Sequence, residues 1–517
     1  MDTVVRTDHG ALRGRIVDGV HVFLGVPYAA PPFGANRLLP PRPVEPWDGI
    51  RDAGALGPEP PQVAPPATGG AEAGAAEDWR GVDAAFAGLE HAAPAEDVLN
   101  LNIWTPDPGA VRRPVMVWIQ GGMFELSSTA AYDGSRFARD GIVCVVINWR
   151  PGAEGFLMLD DGNVNRGLLD QVAALEWVRD RIDAFGGDPD DVTVFGESAG
   201  AMSIGMLLAM PAAAGLFRRA ILQSGAAHHV LPPSDAERLA GLLAERLGTS
   251  PTREAIAAVG VPRLLAAQAA LKADLIAHPD PDRWGMPLVA TTMPWQPVVD
   301  GAVIPAAPID RIAAGAARDV DLVVGTNADD WRLWLTVSGA FARITDEILT
   351  GPVARFGSQS LAAYDLAPAT SLPAYRARYP DAVPGDLLAA VQTDWWMRIP
   401  AIRLADAHAA AGGRTYMYEF AWPAPGLGAV HALEIPFVFD TLSPDAPLFG
   451  PMLGPNPPQS LADSMHGAWV AFASSGDPGE QWPRYHAELR ATMRFDVQSR
   501  VAVDPRAWER GLWAGVR

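Results

Sequence analysis

Short apolar segments rich in β-branched residues alternate with longer segments of helical periodicity along most of the chain. Five of the short segments predict strands buried on both faces, at 115–119, 142–147, 192–195, 220–222 and 322–324. Between the second and third strands, residues 167–185 carry apolar positions at helical spacing, which predicts a helix. Strand, helix and strand in this order predict an α/β fold, with a central, mostly parallel sheet and crossover helices on its faces.

Three other segments depart from this alternation. Residues 233–290 and 340–412 carry helical patterns with little strand signal, and we interpret them as helical insertions over a cleft; helices packed plainly on the sheet explain the periodicity equally well. Residues 57–95 are rich in proline, alanine and glycine and predict a flexible, exposed loop. A chain of 517 residues has room for about three domains of typical size, although large α/β folds also run as one.

Composition and charge exclude several classes of protein. The formal net charge of −20 disfavours nucleic acid and anionic membrane surfaces as partners. The sequence shows neither a secretory signal nor an apolar run of about 18 residues, so we expect a cytoplasmic protein without a membrane span. Cys144 is the only cysteine, which excludes an internal disulfide and suits a buried strand thiol.

A G-x-S-x-G motif at 196–200 supplies the first candidate for chemistry. It directly follows the strand at 192–195 and opens an apolar helical stretch, which is the strand–turn–helix setting of a nucleophilic serine. The glycines on either side of Ser198, Gly196 and Gly200, suit a strained turn that lies close to neighbouring strands. A plain glycine-rich turn is the alternative. We therefore predict Ser198 as a nucleophile, with the Ala199 N–H aimed at its substrate.

A nucleophilic serine needs a base, and the base needs an acid that orients it. Seven histidines follow Ser198: His228, His229, His278, His408, His431, His466 and His486. His431 is the best placed, just beyond a strand-like segment at 416–421. Asp329 and Asp330 follow the strand at 322–324, and spacing alone does not choose between them. A metal pair formed by His431 and Glu434 is a minor alternative because no third ligand motif accompanies it, so we expect no metal and no cofactor.

An oxyanion hole requires backbone N–H donors close to the nucleophile. The strand at 115–119 is followed by Gln120, Gly121, Gly122, Met123 and Phe124, and glycines after a strand can supply such donors. A simple turn at the end of the strand is the alternative.

At this point the chain resembles the type B carboxylesterases, the carboxylesterase and cholinesterase family of the α/β-hydrolase fold, in their bacterial form. Matching blocks run in order over nearly the whole length, at 23–32, 96–104, 148–150, 165–171, 185–189, 223–225, 297–301 and 325–330. The resemblance implies an α/β-hydrolase fold with helical insertions over the active-site cleft. It also implies that residues 1–517 form one catalytic domain rather than three.

The resemblance assigns roles that spacing leaves open. It implies that Asp330 rather than Asp329 is the triad acid, and that Arg150 and Asp170 form a structural ion pair. It implies oxyanion donors at Gly122, Met123 and Ala199 and a buried carboxylate at Glu197 beside the nucleophile. It also implies a substrate pocket formed by Glu197, Met293, Trp295, Leu333 and Trp334. Core packing explains the pocket residues equally well.

Some positions depart from the family pattern. Gln120 stands where an aromatic residue or histidine is usual, Met123 replaces a small residue, and Asp330 replaces the more frequent glutamate. Val98 replaces a cysteine, which suits a disulfide-free protein. Trp79, in the loop, has the wrong spacing for the tryptophan that cholinesterases use, so we do not expect cholinesterase activity.

Together these features predict a serine hydrolase of uncharged, short-acyl carboxylic esters. Two alternatives stay open at this stage. One is a non-catalytic adhesion or binding member of the family. The other is a thioesterase, amidase or acyltransferase that uses the same triad. The physiological ester and the oligomeric state do not follow from the sequence.

Overall fold

One large sheet organises the molecule. The computed structural model describes residues 1–63, 96–109, 112–444, 446 and 448–516. Within them, thirteen strands form this sheet: β1 (Asp2–Thr7), β2 (Gly10–Val17), β3 (Val20–Pro27), β4 (Ile50–Asp52), β5 (Asn100–Thr105), β6 (Arg113–Ile119), β7 (Val143–Ile147), β8 (Gly187–Glu197), β9 (Arg219–Gln223), β10 (Asp321–Asn327), β11 (Thr415–Phe420), β12 (Ala491–Phe495) and β13 (Arg500–Val503).

The strand order is β1-β2-β3-β5-β7-β6-β8-β9-β10-β11-β12-β13, with β4 beside β2. Every pairing from β7 through β12 is parallel, whereas the strands that extend the sheet along this order at its two ends pair antiparallel. The predicted mostly parallel sheet is therefore confirmed. The five predicted strands are β6 to β10, and the segment at 416–421 forms β11.

Helices cover both faces of the sheet. In the described residues the α-helices span Ser135–Arg139, Gly152–Phe156, Arg166–Arg181, Ala199–Leu207, Pro233–Leu247, Arg253–Ala257, Val261–Ala277, Pro281–Trp284, Met286–Thr291, Pro308–Ala313, Arg332–Val337, Asp346–Thr350, Val353–Phe356, Pro368–Arg378, Pro384–Thr393, Ile399–Ala410, Ile435–Val438, Gly450–Leu453, Gln459–Ser475 and Ala507–Leu512. A π-helical turn, Asp394–Arg398, joins Pro384–Thr393 to Ile399–Ala410.

The two faces of the sheet carry two separate hydrophobic cores. Along β6, Val115 and Val117 belong to one core, and Met116 and Trp118 to the other. This alternation follows from the two-residue period of a strand and explains why the central strands are apolar throughout. The central strands are therefore packed on both faces, and the candidate site lies at their ends.

The segments at 233–290 and 340–412 contain helices and no strands in the structure. Their interpretation as insertions, and that of residues 1–517 as one domain, remain predictions. The predicted loop at 57–95 lies mostly outside the described residues, as does Trp79; residues 57–63 form no regular element. No helix within the described ranges is long and apolar enough to cross a membrane.

Candidate active site

Ser198 lies in the sharp turn between β8 and the helix Ala199–Leu207. Its backbone has φ 57° and ψ −124°, a conformation that residues other than glycine rarely adopt. The turn is held from both sides, because Ser198 N donates to Gln223 O at 2.9 Å and Met202 N donates to Ser198 O at 2.8 Å. A Cβ on Gly200 would lie 1.9 Å from Ile119 O, so only glycine fits there. The predicted strand–turn–helix setting is present.

Asp330 and His431 meet across the loops that follow β10 and β11. His431 Nδ1 lies 2.8 Å from Asp330 Oδ1. Asn327 N donates to the other oxygen, Asp330 Oδ2, at 3.0 Å, which fixes the carboxylate. Because an ionised carboxylate can only accept, Nδ1 carries the proton and Nε2 is left to act as a base.

The neighbouring Asp329 has different partners. Its Oδ2 accepts a hydrogen bond from Ala429 N at 3.0 Å, which ties together the two loops that carry Asp330 and His431. The structure therefore distinguishes two adjacent carboxylates that the spacing did not.

Glu197 is the second carboxylate beside His431. His431 Nε2 lies 3.0 Å from Glu197 Oε1, and both side chains are buried. Ser198 and His431 line the same cleft, but no hydrogen bond joins Ser198 Oγ to His431 in the part of the chain described. Catalytic hydrogen bonds commonly tighten only when a substrate binds.

The carboxylates control the charge of His431. Burial lowers the pKa of this imidazole, but the adjacent carboxylates of Glu197 and Asp330 outweigh burial and raise it to about 9. Burial raises the pKa of Glu197 well above its ordinary value, and the nearby Glu434 and Asp330 add to this effect although His431 opposes it. The charge of His431 therefore depends on the two carboxylates that lie beside it.

This arrangement predicts the pH dependence of a Glu197→Gln variant. A base acts in its neutral form, so activity falls as the pH falls through the pKa of His431. Removing the charge of Glu197 lowers that pKa, and we expect the acid limb of the kcat/KM profile to move to lower pH. An unshifted or alkaline-shifted limb would contradict this. The exposed Glu237→Gln serves as the control, with no shift expected.

Glu434 supports the site from behind. Its Oε2 accepts from Asn327 Nδ2 at 2.5 Å and its Oε1 accepts from Gln223 Nε2 at 3.2 Å. Trp469 Nε1 donates to Gln223 Oε1 at 3.0 Å, which extends the network into the core. Across the described residues, no three His, Cys, Asp or Glu side chains are grouped to hold a metal ion. The sequence analysis considered Glu434 only as a minor metal-ligand alternative, and Gln223 and Asn327 only as members of the matching 223–225 and 325–330 blocks. It did not single out Trp469.

The loop after β6, where the sequence predicts oxyanion donors, folds closely against Ser198. Gly122 has φ 127° and Met123 has φ 55°, so the chain turns sharply beside Ser198. A Cβ on Gly121 would lie 2.8 Å from the Ser198 Cβ, which shows how closely the loop approaches the nucleophile. Among the described residues, the N–H groups of Gly122, Met123 and Ala199 donate to no other protein group, so they are available to a ligand oxygen.

Gln120, which departs from the family pattern, anchors this loop. It is buried, and its Nε2 donates to Ser127 Oγ at 2.8 Å. Two backbone bonds, from Glu125 N and Leu126 N to Gly122 O, close the turn. The departure therefore leaves the loop folded against the nucleophile.

An apolar cleft of about 260 Å³ surrounds Ser198. Four methionines and three tryptophans line it together with Ser198, Ala199 and His431, namely Met123, Met202, Met293, Met397, Trp331, Trp334 and Trp396. His431 is the only ionisable side chain among these lining residues. Such a cleft suits an uncharged substrate.

The structure sorts the five predicted pocket residues. Glu197 does not line the cleft, since it is buried against His431. Met293 and Trp334 line the cleft, and the Trp334 ring lies 6.0 Å from the His431 ring. Leu333 does not: it is fully buried in the second core, because successive residues on a helix point about 100° apart. Trp295 does not line the cleft either, and it borders a neighbouring cavity.

Four lining residues, Met202, Trp331, Trp396 and Met397, escaped the sequence analysis as pocket residues. Trp331 and Trp396 stack at 4.4 Å with an interplanar angle of 17°, and Met397 follows Trp396 in the π-helical turn. Trp396 and Met397 therefore line the cleft from within the π-helical turn, an irregularity often found at functional sites. No periodic signal in the sequence marks such a turn.

The predicted ion pair of Arg150 and Asp170 is present and fully buried. Arg150 Nε and Nη2 donate to the two carboxylate oxygens of Asp170 at 2.8 and 2.7 Å. Arg150 Nη1 also donates to Leu39 O at 2.8 Å. The pair thus ties the chain after β7 to the helix Arg166–Arg181.

The sheet order, the serine turn and the acid–histidine contact at the strand ends define a serine hydrolase of the α/β-hydrolase fold. Residues 1–513 match the model of the carboxylesterase family. The chain belongs to this family and is a carboxylesterase.

The chain is similar in sequence to known relatives over almost its full length. The para-nitrobenzyl esterase of Bacillus subtilis is 34% identical, covering 98% of this chain and 97% of that protein. The phenmedipham hydrolase of Pseudarthrobacter oxydans is also 34% identical, covering 95% and 94%. A solved structure of the Geobacillus stearothermophilus carboxylesterase EST55 matches with a TM-score of 0.80 at 36% identity, covering 99% of this chain and 100% of that one.

Proposed function

We propose that Ser198, His431 and Asp330 form a catalytic triad that hydrolyses uncharged carboxylic esters through an acyl-enzyme. The observation that carries this proposal is the 2.8 Å contact between His431 and Asp330 beside the cleft that Ser198 and His431 both line. The free N–H groups of Gly122, Met123 and Ala199 would form the oxyanion hole.

The proposed reaction has two halves. Ser198 Oγ attacks the ester carbonyl carbon, its proton passes to His431 Nε2, and the carbonyl oxygen becomes an oxyanion that the three N–H groups stabilise. The C–O bond to the alcohol then breaks and His431 returns the proton to that alcohol. In the second half a water gives its proton to His431 and attacks the acyl carbon, which releases the acid and restores Ser198. Asp330 remains ionised and stabilises the imidazolium throughout.

We further propose that short acyl groups are preferred. Met123 carries a long side chain at a position where the family has a small residue, and its side chain lines the cleft beside the oxyanion amides. Met202 and Met293 narrow the same space. A long acyl chain would have to displace these packed methionine side chains.

A panel of 4-nitrophenyl esters from acetyl to dodecanoyl tests both statements. We expect kcat/KM to be highest for the two- to four-carbon acyl groups and to fall at least about tenfold by eight carbons, because each excess methylene must displace packed side chains. A maximum at long chains would contradict the short-acyl proposal. Absence of turnover with every member would contradict the hydrolase itself. Met123→Ala should shift the maximum toward longer chains.

The alternatives make different demands on the site. A non-catalytic binding protein has no need for an oriented imidazole, yet His431 is oriented by Asp330 at 2.8 Å. A thioesterase, an amidase or an acyltransferase would use the same acyl-enzyme, so we propose the ester hydrolase on the strength of its carboxylesterase relatives. We place the reaction in the cytoplasm, an expectation supported by the single, buried thiol of Cys144.

A further inference from the structure

A second cavity, of about 380 Å³, lies next to the catalytic cleft. Its polar and aromatic lining comprises Gln62, Glu125, Glu154, Gln268, Lys272 and Trp295. Two chain segments border both spaces. In the first, Met123 lines the cleft and Glu125 lines this cavity; in the second, Met293 lines the cleft and Trp295 lines this cavity. Two residues span at most about 7 Å of chain, so the two spaces lie close to each other along both segments.

Two glutamates that line this cavity each have one buried carboxylate oxygen without a hydrogen-bond donor. Glu154 is only 3% exposed, and its Oε1 accepts both Arg37 Nε at 2.9 Å and Arg37 Nη2 at 2.7 Å, which leaves Oε2 without a donor in the described structure. Glu125 is similar, because Lys272 Nζ binds its Oε2 at 2.5 Å while the buried Oε1 has no partner there. Buried acceptors of this kind are unfavourable until a donor reaches them.

The chemistry of the lining selects one class of ligand. A protonated primary amine carries three N–H donors and a positive charge, which matches two unpartnered carboxylate oxygens. Trp295 offers an aromatic surface to a cation. The net charge of −20 favours a cation further. A carboxylate ligand would instead be repelled by both glutamates.

We propose that this cavity binds the ammonium group of an amine-bearing ester whose carbonyl lies at Ser198. The inference rests on the proposed ester hydrolysis and names a substrate class for it. Lys272, the only lysine in the sequence, sets the strength of this site because it already neutralises Glu125. Removing Lys272 should therefore strengthen amine binding, and removing the charge of Glu125 should weaken it.

The test compares matched esters that differ only in an ammonium or a methyl group. 6-Aminohexyl acetate is paired with heptyl acetate for an amine on the alcohol, and ethyl 6-aminohexanoate is paired with ethyl heptanoate for an amine on the acid. The ratio of kcat/KM within each pair is measured for the wild type, Lys272→Met, Glu125→Gln and Arg263→Met. The ratio cancels any effect of a variant on the shared chemical steps. Arg263 lies on the same helix as Lys272 but outside the cavity.

The amine-to-neutral ratio is kcat/KM of the amine ester divided by kcat/KM of its neutral partner. In at least one pair we expect Lys272→Met to raise this ratio about tenfold, because the amine gains a charge-assisted contact with Glu125. We expect Glu125→Gln to lower it about tenfold, because the amine loses that contact. Arg263→Met should leave the ratio within about twofold of the wild type. Equal ratios in all four proteins, or shifts of the opposite sign, would overturn the amine site. Turnover of heptyl acetate by the wild type reports separately on the hydrolase, so the two proposals fail independently.

Discussion

Ser198→Ala is expected to abolish hydrolysis of a short-chain aryl ester, with a loss in kcat on the order of 10⁶-fold. The variant removes the only atom that forms the proposed covalent bond, while His431 and Asp330 stay in place. The fold should be retained, because a methyl group fits the space of a hydroxymethyl group and the turn is held by backbone bonds from Ser198 N and to Ser198 O. Activity against 4-nitrophenyl acetate and thermal melting are the measurements.

A fluorophosphonate probe supplies the matched control for this variant. The probe should add covalently to the wild type at Ser198, located by peptide mass, and should leave folded Ser198→Ala unlabelled. A folded wild-type protein that neither labels nor hydrolyses any ester would favour the non-catalytic binding alternative. Activity retained in Ser198→Ala would show that another residue is the nucleophile.

Local chemistry explains why part of this site was predictable from the sequence. The turn around Ser198 is determined by neighbouring residues, since β8, the small residues and the apolar helix are contiguous in the chain. The parallel core of the sheet was predictable because its strands are apolar on both faces. The bounds of the strands were less predictable. β8 begins at Gly187, five residues before the predicted start, because residues 188–191 are polar residues and a proline and give no apolar strand signal.

Long-range packing explains why the rest was not. Trp396 lies 198 residues after Ser198 and reaches the cleft through a π-helical turn that no periodic pattern marks. Leu333 and Trp334 are adjacent in sequence, yet one is in the core and the other is in the cleft. Whether each side chain faces the core or the cleft depends on how the helix Arg332–Val337 packs in the assembled fold.

The adjacent carboxylates Asp329 and Asp330 provide the second large expected effect. Asp330→Asn should lower kcat for a short-chain ester by about 10³- to 10⁴-fold, because a neutral amide does not stabilise the imidazolium and its NH₂ group, if it faces Nδ1, favours the wrong tautomer. It also removes a carboxylate that raises the pKa of His431, so the remaining activity should show its acid limb at lower pH.

Asp329→Asn is the matched control, one residue away and with the same change of charge. Asp329 Oδ2 accepts from Ala429 N, and the amide oxygen of asparagine can accept that bond as well, so we expect a loss of less than about tenfold. The comparison separates the orientation of His431 from the general negative charge of the loop, since both variants remove one charge beside β10. Equal losses in the two variants would mean that charge rather than the 2.8 Å contact matters. A larger loss in Asp329→Asn would make Asp329 the triad acid and would require the loop to rearrange when substrate binds.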